Sequence, residues 1–217
     1  MQDWLFEPAP QTYLRIDADT RRFPVRRIIC VGQNYAAHVR EMGGDDSRAD
    51  PFFFCKPADA LVIDGDSVPY PTLTSDLHHE VELVVAVGEA LTIVGCAVGV
   101  DLTRRDLQAQ AKAAGRPWDA AKGFDRSAPC GRLRLGPSPV SGEIALSVNG
   151  DRRQGADLSN LIWSSDEILI QANRVWTLQP GDLIFTGTPQ GVGRLCAGDR
   201  VEARIDGLPP LSFSVTP

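Results

Sequence analysis

The chain alternates short apolar runs with polar turns over most of its length, a pattern typical of a strand-rich protein with few helices. The predicted strands are residues 27–31, 52–55, 61–63, 78–85, 97–100, 145–148, 183–186 and 201–205. The predicted helices are residues 35–42, 103–114 and 166–177. Because strands follow one another without regular intervening helices, the order predicts an α+β fold and not an alternating βαβ fold.

Turn and cap signals refine this outline. Residues 1–24 are weakly patterned and proline-containing, so we expect an irregular arm before a single domain at residues 25–217 that carries the chemistry. Asn149-Gly150 predicts a β-hairpin. Residues 103–106 have the Thr-x-x-Asp spacing of a helix capping box. Paired glycines and polar residues at 43–51 predict a mobile lid.

Composition excludes several kinds of partner. The formal net charge is −6 and the lysines and arginines are dispersed, so no basic footprint for nucleic acid is present. No apolar run approaches membrane-spanning length, and the start lacks the features of a signal peptide. Five dispersed cysteines without a Cys-x-x-Cys pair fit a reducing compartment. We therefore expect a soluble, cytoplasmic protein with no nucleic acid or membrane partner.

Three carboxylates are the first candidates for chemistry. Glu80 and Glu82 stand two apart in a predicted strand and so point to the same face. Asp101 ends the apolar run 97–100, which could pair with that strand. Three converging carboxylates suit a hard cation such as Mg²⁺ or Mn²⁺. An isolated Glu-x-Glu pair is more often found on the solvent face of an edge strand, so this alternative stays open.

Two pairs of residues, each spaced three apart in a predicted helix, could act beside such an ion. His38 and Glu41 are three apart on one helix face, a spacing with which a carboxylate can orient a histidine as a general base. Arg105 and Gln108 have the same spacing just after Asp101 and could hold a substrate carboxylate or keto oxygen. Taken alone, each pair is more often an ordinary pair on a solvated helix surface, so this alternative stays open.

Two lysines and a glycine-rich loop complete the candidates. Lys122 and Lys56 have small or apolar neighbours, which suggests an anionic partner for each ammonium, although a lone lysine more often extends to solvent. The loop at residues 186–193, which contains Thr188, has free backbone amides but lacks the P-loop ending of a nucleotide site.

Several motifs in a fixed order resemble the fumarylacetoacetate hydrolase family. They are Ile-Cys-Val-Gly-Gln-Asn-Tyr at 29–35, His-Val-Arg-Glu at 38–41, Lys-Pro at 56–57, His-Glu-Val-Glu-Leu at 79–83, Asp-Leu-Thr-Arg-Arg-Asp-Leu-Gln at 101–108, Lys-Gly-Phe at 122–124 and Phe-Thr-Gly-Thr-Pro at 185–189. The similarity extends from about residue 24 to the end of the chain. Residues 6–10, 23–27 and 51–60 are most similar to bacterial members that cleave fumarylpyruvate.

This resemblance implies mixed β-sheets rolled around a central helix, usually in a homodimer. It implies Mg²⁺ or Mn²⁺, with Ca²⁺ as a substitute, and cleavage of a carbon–carbon bond in an acylpyruvate-type 2-keto acid, such as fumarylpyruvate in gentisate-type catabolism. The implied metal ligands are Glu80, Glu82 and Asp101. The implied catalytic residues are His38, Glu41 and Lys122, and the implied substrate contacts are Arg105, Gln108, Thr188 and Lys56.

Two alternatives remain. The same metal site could serve oxaloacetate decarboxylation or keto–enol isomerisation, which needs the chelated enolate but no hydrolytic water. A protein of another class, a non-catalytic binding protein stabilised by metal, could retain the fold alone, because a fold by itself does not establish an activity.

Overall fold

The computed structural model describes residues 4–41 and 48–217. Most of the predicted lid, at residues 43–47, lies outside the described residues. In chain order the strands are β1 (Tyr13–Arg15), β2 (Arg22–Pro24), β3 (Arg27–Gly32), β4 (Phe52–Lys56), β5 (Leu61–Ile63), β6 (Val68–Pro69), β7 (Leu77–His79), β8 (Val81–Val87), β9 (Ile93–Val100), β10 (Thr103–Arg104), β11 (Ala128–Cys130), β12 (Arg134–Leu135), β13 (Glu143–Val148), β14 (Asp151–Asp157), β15 (Asp182–Phe185), β16 (Gly193–Leu195), β17 (Arg200–Ile205) and β18 (Leu211–Thr216). The α-helices are α1 (Ala36–Glu41), α2 (Arg105–Ala113), α3 (Asp119–Lys122) and α4 (Ser165–Val175).

The largest sheet has eight strands and is mixed. Its order is β4-β3-β15-β8-β9-β11-β5, and β12 pairs with β9 outside this path. The central strands β8 and β9 are long, apolar and antiparallel, whereas β15 runs parallel to β3 and β11 runs parallel to β5. A second sheet has five strands in the order β14-β13-β17-β18-β6. The predicted strand-rich α+β class is therefore confirmed.

The two faces of the large sheet pack into different cores. Because side chains alternate along a strand, Val81, Leu83 and Val85 of β8 enter one core, whereas Val84 and Ala86 enter the other. The first core includes residues of the five-stranded sheet and of α4, and the second includes the β1–β2 hairpin. Glu82 precedes Val84 by two residues, so its side chain points to the same sheet face, at the end of the second core.

The predicted β-hairpin at Asn149-Gly150 is confirmed. It joins β13 to β14, and both turn residues have positive φ, 53° and 87°. The commonest two-residue hairpin turn requires this left-handed conformation at both positions, which Asn and Gly tolerate best.

The predicted irregular arm is wrong for part of its length. β1 and β2 form an antiparallel pair in which Leu14 is opposite Phe23. Together with Ile16 and Val25, these side chains are buried in the second core. Each strand has only three residues, so the alternation of apolar and polar residues is too short to be recognised from the sequence. It is enough to form the strands when their apolar side chains can pack on a face of the large sheet.

The predicted capping box at residues 103–106 is also wrong. Thr103 pairs with His78 between β10 and β7, so it belongs to a strand, and the helix begins two residues later at Arg105 without a side-chain cap. Asp106 instead accepts a hydrogen bond from the Thr74 hydroxyl at 2.6 Å. The long-range strand pairing competes successfully with the local cap.

A capping box does form at the start of α4. The Ser164 hydroxyl accepts from the Glu167 backbone N–H, and the Glu167 carboxylate accepts from the Ser164 backbone N–H at 2.9 Å. The Ser-x-x-Glu spacing was readable in the sequence and was missed. None of the helices within the described residues has the length and apolar character needed to cross a membrane.

Candidate active site

A cleft opens where the charged end of the second sheet face meets α1 and α2. All of the predicted site residues except Glu41 and Lys56 line it. The cleft is therefore formed by segments that are distant in sequence: the ends of β8 and β9, the helices α1, α2 and α3, and the loop after β15.

Sheet pairing brings the three carboxylates together. β8 and β9 are antiparallel with Glu82 opposite Gly99, and the pairing continues to the Asp101 N–H, which donates to the Glu80 carbonyl at 2.8 Å. One carboxylate oxygen from each of Glu80, Glu82 and Asp101 lies within 4.8 Å of the other two, and all three residues are buried. This oxygen-rich group could hold a hard divalent cation.

Two cations of the chain neutralise part of this charge. The Lys122 ammonium, at the end of α3, donates to Glu80 Oε2 and Asp101 Oδ2, both at 2.7 Å. Arg105 Nη2 donates to Glu80 Oε1 at 2.5 Å, and its Nη1 donates to Gln108 Oε1 at 2.6 Å. Burial acts to lower the pKa of Lys122, but Asp101 and Glu80 outweigh it and raise this pKa, so the ammonium stays charged.

The charges are distributed unevenly among the three carboxylates. Burial acts to raise the pKa of Glu80, but Lys122 and Arg105 outweigh it and hold this pKa below its ordinary value. For Glu82, burial and then the Asp101 and Glu80 carboxylates raise the pKa well above its ordinary value. Among the described residues no cation pairs with Glu82, whose Oε2 accepts from the Gly187 N–H at 2.7 Å.

Asp101 is paired with two buried cations, one at each oxygen. Lys56 Nζ lies 2.8 Å from its Oδ1, and Lys122 Nζ lies 2.7 Å from its Oδ2. Glu82 is therefore the one carboxylate of the cluster with no cation partner among the described residues, and it fits the additional positive charge of a bound divalent cation.

Lys56 is placed differently from the prediction. It is buried and directed at Asp101, and its ammonium also donates to the backbone carbonyls of Leu102 and Lys122. Because it lies behind Asp101 and does not line the cleft, its position does not support the predicted substrate contact.

His38 and Glu41 form the expected pair on α1. His38 Nδ1 lies 3.0 Å from Glu41 Oε2, and the other carboxylate oxygen of Glu41 accepts from the Gly191 N–H at 3.0 Å. His38 is buried and lines the cleft, whereas Glu41 is exposed behind it. The carboxylate orients the ring, which leaves Nε2 for other partners.

The loop after β15 connects the carboxylates to this pair. The Thr186 N–H and hydroxyl both bond to the Leu83 carbonyl, the Gly187 N–H bonds to Glu82, and the Gly191 N–H bonds to Glu41. Gly187 has a φ of 100°, and a Cβ there would lie 2.7 Å from Asn34 Cβ. Glycine at this position therefore permits a close approach that holds Thr188 over the cleft.

The cleft residues Lys112 and Trp118 were missed from the sequence. Lys112 follows Gln108 by four residues on α2 and lies over the Trp118 ring, with its ammonium 5.0 Å from the ring centroid. Burial, and then the Arg105 charge, lower the pKa of Lys112. Gln33 also lines the cleft. The helical spacing from Arg105 through Gln108 would have identified Lys112.

Fold and site together define a class of protein: a strand-rich enzyme with three buried carboxylates at the base of a cationic cleft. The family model described as fumarylacetoacetate (FAA) hydrolase C-terminal matches residues 27–216. The chain therefore belongs to the fumarylacetoacetate hydrolase family. This membership confirms the predicted family and the predicted enzyme class, a hydrolase that acts on carbon–carbon bonds.

Individual relatives are similar over most of their length. A fumarylpyruvate hydrolase from a Ralstonia species is 40% identical over 185 residues, covering 80% of this chain and 96% of that protein. The crystal structure of fumarylpyruvate hydrolase from Pseudomonas aeruginosa with Mn²⁺ and pyruvate is 46% identical, with a TM-score of 0.95 and 99% of each chain covered. The human mitochondrial oxaloacetate tautomerase FAHD1 is 38% identical over 203 residues, covering 88% of this chain and 91% of that protein.

Proposed function

We propose that this protein is a metal-dependent acylpyruvate hydrolase that cleaves fumarylpyruvate to fumarate and pyruvate. The observation that carries the proposal is the presence, in one cleft, of the three-carboxylate cluster and the His38–Glu41 pair. The fumarylpyruvate hydrolases of Ralstonia and Pseudomonas aeruginosa support the substrate, and the Mn²⁺ and pyruvate in the latter structure support the ligands.

Glu80, Glu82 and Asp101 would hold Mg²⁺ or Mn²⁺, with Ca²⁺ as a substitute. The unpaired Glu82 carboxylate and the convergence of one oxygen from each of the three residues support this assignment. When bound, the cation supplies Lewis acidity to the oxygens of a 2-keto carboxylate and so stabilises the enolate that departs.

His38 would act as the general base. With Nδ1 directed to Glu41, its Nε2 takes a proton from water as the water oxygen attacks the distal acyl carbonyl carbon. The tetrahedral species then collapses with cleavage of the bond between that carbon and the methylene carbon of the pyruvate unit. The acyl group becomes the free carboxylic acid, and the departing pyruvate enolate takes up at its carbon the proton held by His38 to give pyruvate.

The cations of the cleft would stabilise the charge that develops. An ammonium has three N–H donors, and two of those of Lys122 are directed to Glu80 and Asp101, which leaves one for the oxyanion. Arg105, Gln108 and Thr188, which line the cleft, would hold the keto acid.

A second candidate activity is keto–enol tautomerisation of oxaloacetate. It is supported by relatives of that activity from human and Escherichia coli, which are 38% and 37% identical. This reaction uses the same carboxylates and cations but no hydrolytic water, so the two proposals differ in their need for a base that activates water.

Steady-state assays with fumarylpyruvate, maleylpyruvate, acetylpyruvate and oxaloacetate distinguish the candidates. We expect pyruvate release with the highest kcat/KM on fumarylpyruvate in the presence of Mg²⁺ or Mn²⁺, loss of turnover with a chelator, and recovery when Mn²⁺ is restored. Tautomerisation of oxaloacetate without pyruvate release from any acylpyruvate would reject the hydrolase proposal.

The homodimer remains a prediction from the family resemblance, and the cytoplasmic location remains a prediction from the composition. Sedimentation equilibrium of the purified protein measures the first, and fractionation of the cells of origin measures the second.

A further inference from the structure

Gln154 reaches the candidate site from the opposite sheet. It is the buried residue of β14, 1% exposed, and its side chain extends between the start of β8 and the loop after β15. It does not line the cleft, and no part of the proposed mechanism uses it.

The amide group of Gln154 has its full set of partners. Its Oε1 accepts from the Val81 N–H at 3.0 Å and lies 2.9 Å from His79 Nδ1. Its Nε2 donates to Thr188 Oγ1 and to the Pro189 carbonyl, both at 2.9 Å. These contacts use both lone pairs of the oxygen and both hydrogens of the nitrogen.

Two of these partners determine which way the amide is oriented. The Val81 N–H can only donate and the Pro189 carbonyl can only accept, so exchanging the amide oxygen and nitrogen would lose both bonds. The contact to Thr188 therefore has a defined direction: Gln154 donates and the Thr188 oxygen accepts.

Because Gln154 donates to Thr188, the Thr188 hydroxyl hydrogen is free on the side of the cleft. A hydroxyl has one hydrogen, and because the inner side of Thr188 Oγ1 receives a hydrogen bond, its own hydrogen is left to donate elsewhere. Thr188 is 3% exposed and lines the cleft beside the carboxylates. Its hydroxyl is thus arranged as a donor to a ligand oxygen that carries no hydrogen.

We propose that Gln154 is a positioning residue that holds Thr188 as a hydrogen-bond donor to the carboxylate or keto oxygen of the bound keto acid. The inference rests on the proposed function, because it requires the cleft to bind a 2-keto acid. It assigns a role in ligand selection to a residue outside the cleft.

Calorimetric titration of pyruvate into the Mn²⁺-saturated protein tests this. In Gln154→Glu the new carboxylate still accepts from Val81 and His79 but cannot donate, so the Thr188 hydroxyl turns inward to donate to it. We expect the Kd for pyruvate to rise about tenfold, the effect of one lost hydrogen bond. Thr188→Val should produce a similar rise, Thr188→Ser should remain near wild type, and the double variant Gln154→Glu/Thr188→Val should show no further loss.

The Kd for Mn²⁺ alone separates this role from a merely structural one. We expect it to stay within about twofold in the Thr188 variants, which leave the three carboxylates and the charge around them unchanged. It should not weaken in Gln154→Glu, because an added negative charge near the cluster cannot disfavour a cation. Gln190→Glu is the matched control: the same change on the loop that carries Thr188, at a side chain that does not line the cleft, should leave both constants unchanged. If Gln154→Glu does not fold, Gln154→Met, of similar volume, is measured in its place. It removes the bond that holds Thr188 but offers no strong acceptor to turn the hydroxyl inward, so its rise in Kd should be smaller than that of Thr188→Val.

The possible failures are distinguishable. If the wild-type protein with Mn²⁺ does not bind pyruvate, the proposed function fails. If it does, the inference is overturned by a Gln154 variant that binds pyruvate as tightly as wild type, by an unchanged Thr188→Val, or by a double variant that shows the sum of the two single effects.

Discussion

The floor of the cleft and its rim are held together by different means. We define the floor as Glu80, Glu82 and Asp101, and the rim as the cleft residues of α1, α2 and the loop after β15. The floor is held by the regular pairing of β8 with β9 and by buried ion pairs. The rim is held by single hydrogen bonds between distant segments, such as Gly191 to Glu41.

This difference separates stability from chemistry. A change in the floor leaves buried ammonium groups without their partners, which costs folding free energy as well as metal affinity. A change in the rim affects side chains that face the cleft or solvent, so the fold should tolerate it while catalysis does not. Four substitutions test the distinction.

Asp101→Asn should have the largest effect. It removes a charge that pairs with both Lys56 and Lys122 in the interior, so we expect a loss of about 3–5 kcal/mol in the free energy of unfolding. Urea denaturation measures this loss, and calorimetry should detect no Mn²⁺ binding. Asp151→Asn, at an exposed carboxylate on β14, is the control and should change neither quantity. Retained Mn²⁺ affinity in Asp101→Asn would remove this residue from the proposed ligands.

His38→Ala should abolish hydrolysis and leave the floor intact. We expect kcat for fumarylpyruvate to fall by about 10²–10⁴, the usual contribution of a general base, with an unchanged Kd for Mn²⁺. Glu41→Gln, which keeps the shape but removes the charge beside His38 Nδ1, should give a smaller loss. Tautomerisation of oxaloacetate, which needs no activated water, should persist in His38→Ala. A variant with the full hydrolytic rate would refute the assigned base.

Lys112→Met should act on KM and spare kcat. Lys112 lies at the outer part of the cleft, along α2 from Arg105 and Gln108, where the second carboxylate of fumarylpyruvate could reach it. Loss of one charge-assisted hydrogen bond predicts a KM about tenfold higher. Acetylpyruvate has no second carboxylate and should show no change. Arg116→Met, an exposed cation nearby that does not line the cleft, is the control. Equal effects on both substrates would contradict the assignment.

Ser164→Ala should have the smallest effect and none on chemistry. It removes the capping box of α4, so we expect a loss of about 1 kcal/mol and a Tm lower by about 2–4 °C in thermal denaturation. Kinetic constants should match wild type, because α4 packs in the core that lies on the other sheet face from the carboxylates. Ser214→Ala, at an exposed position on β18, should leave Tm unchanged. An altered kcat in Ser164→Ala would show that helix stability is coupled to the rim.

Local periodicity determined several features that could be predicted without the structure. Alternation along a strand places Glu80 and Glu82 on one face, helical spacing joins His38 to Glu41, and Asn149-Gly150 specifies its hairpin. In each case the interacting residues are a few positions apart, so the backbone geometry of one element is enough to relate them.

Other features were decided by contacts between segments far apart in the chain. Thr103 joined a strand instead of capping a helix because β7 offered a pairing partner, and Lys56 became a support for Asp101 because β4 passes behind it. Gln154 became part of the site only because β14 packs against β8 and the loop after β15. Such contacts depend on how sheets stack and on which buried polar groups must be satisfied, and both are properties of the whole fold and not of any sequence window.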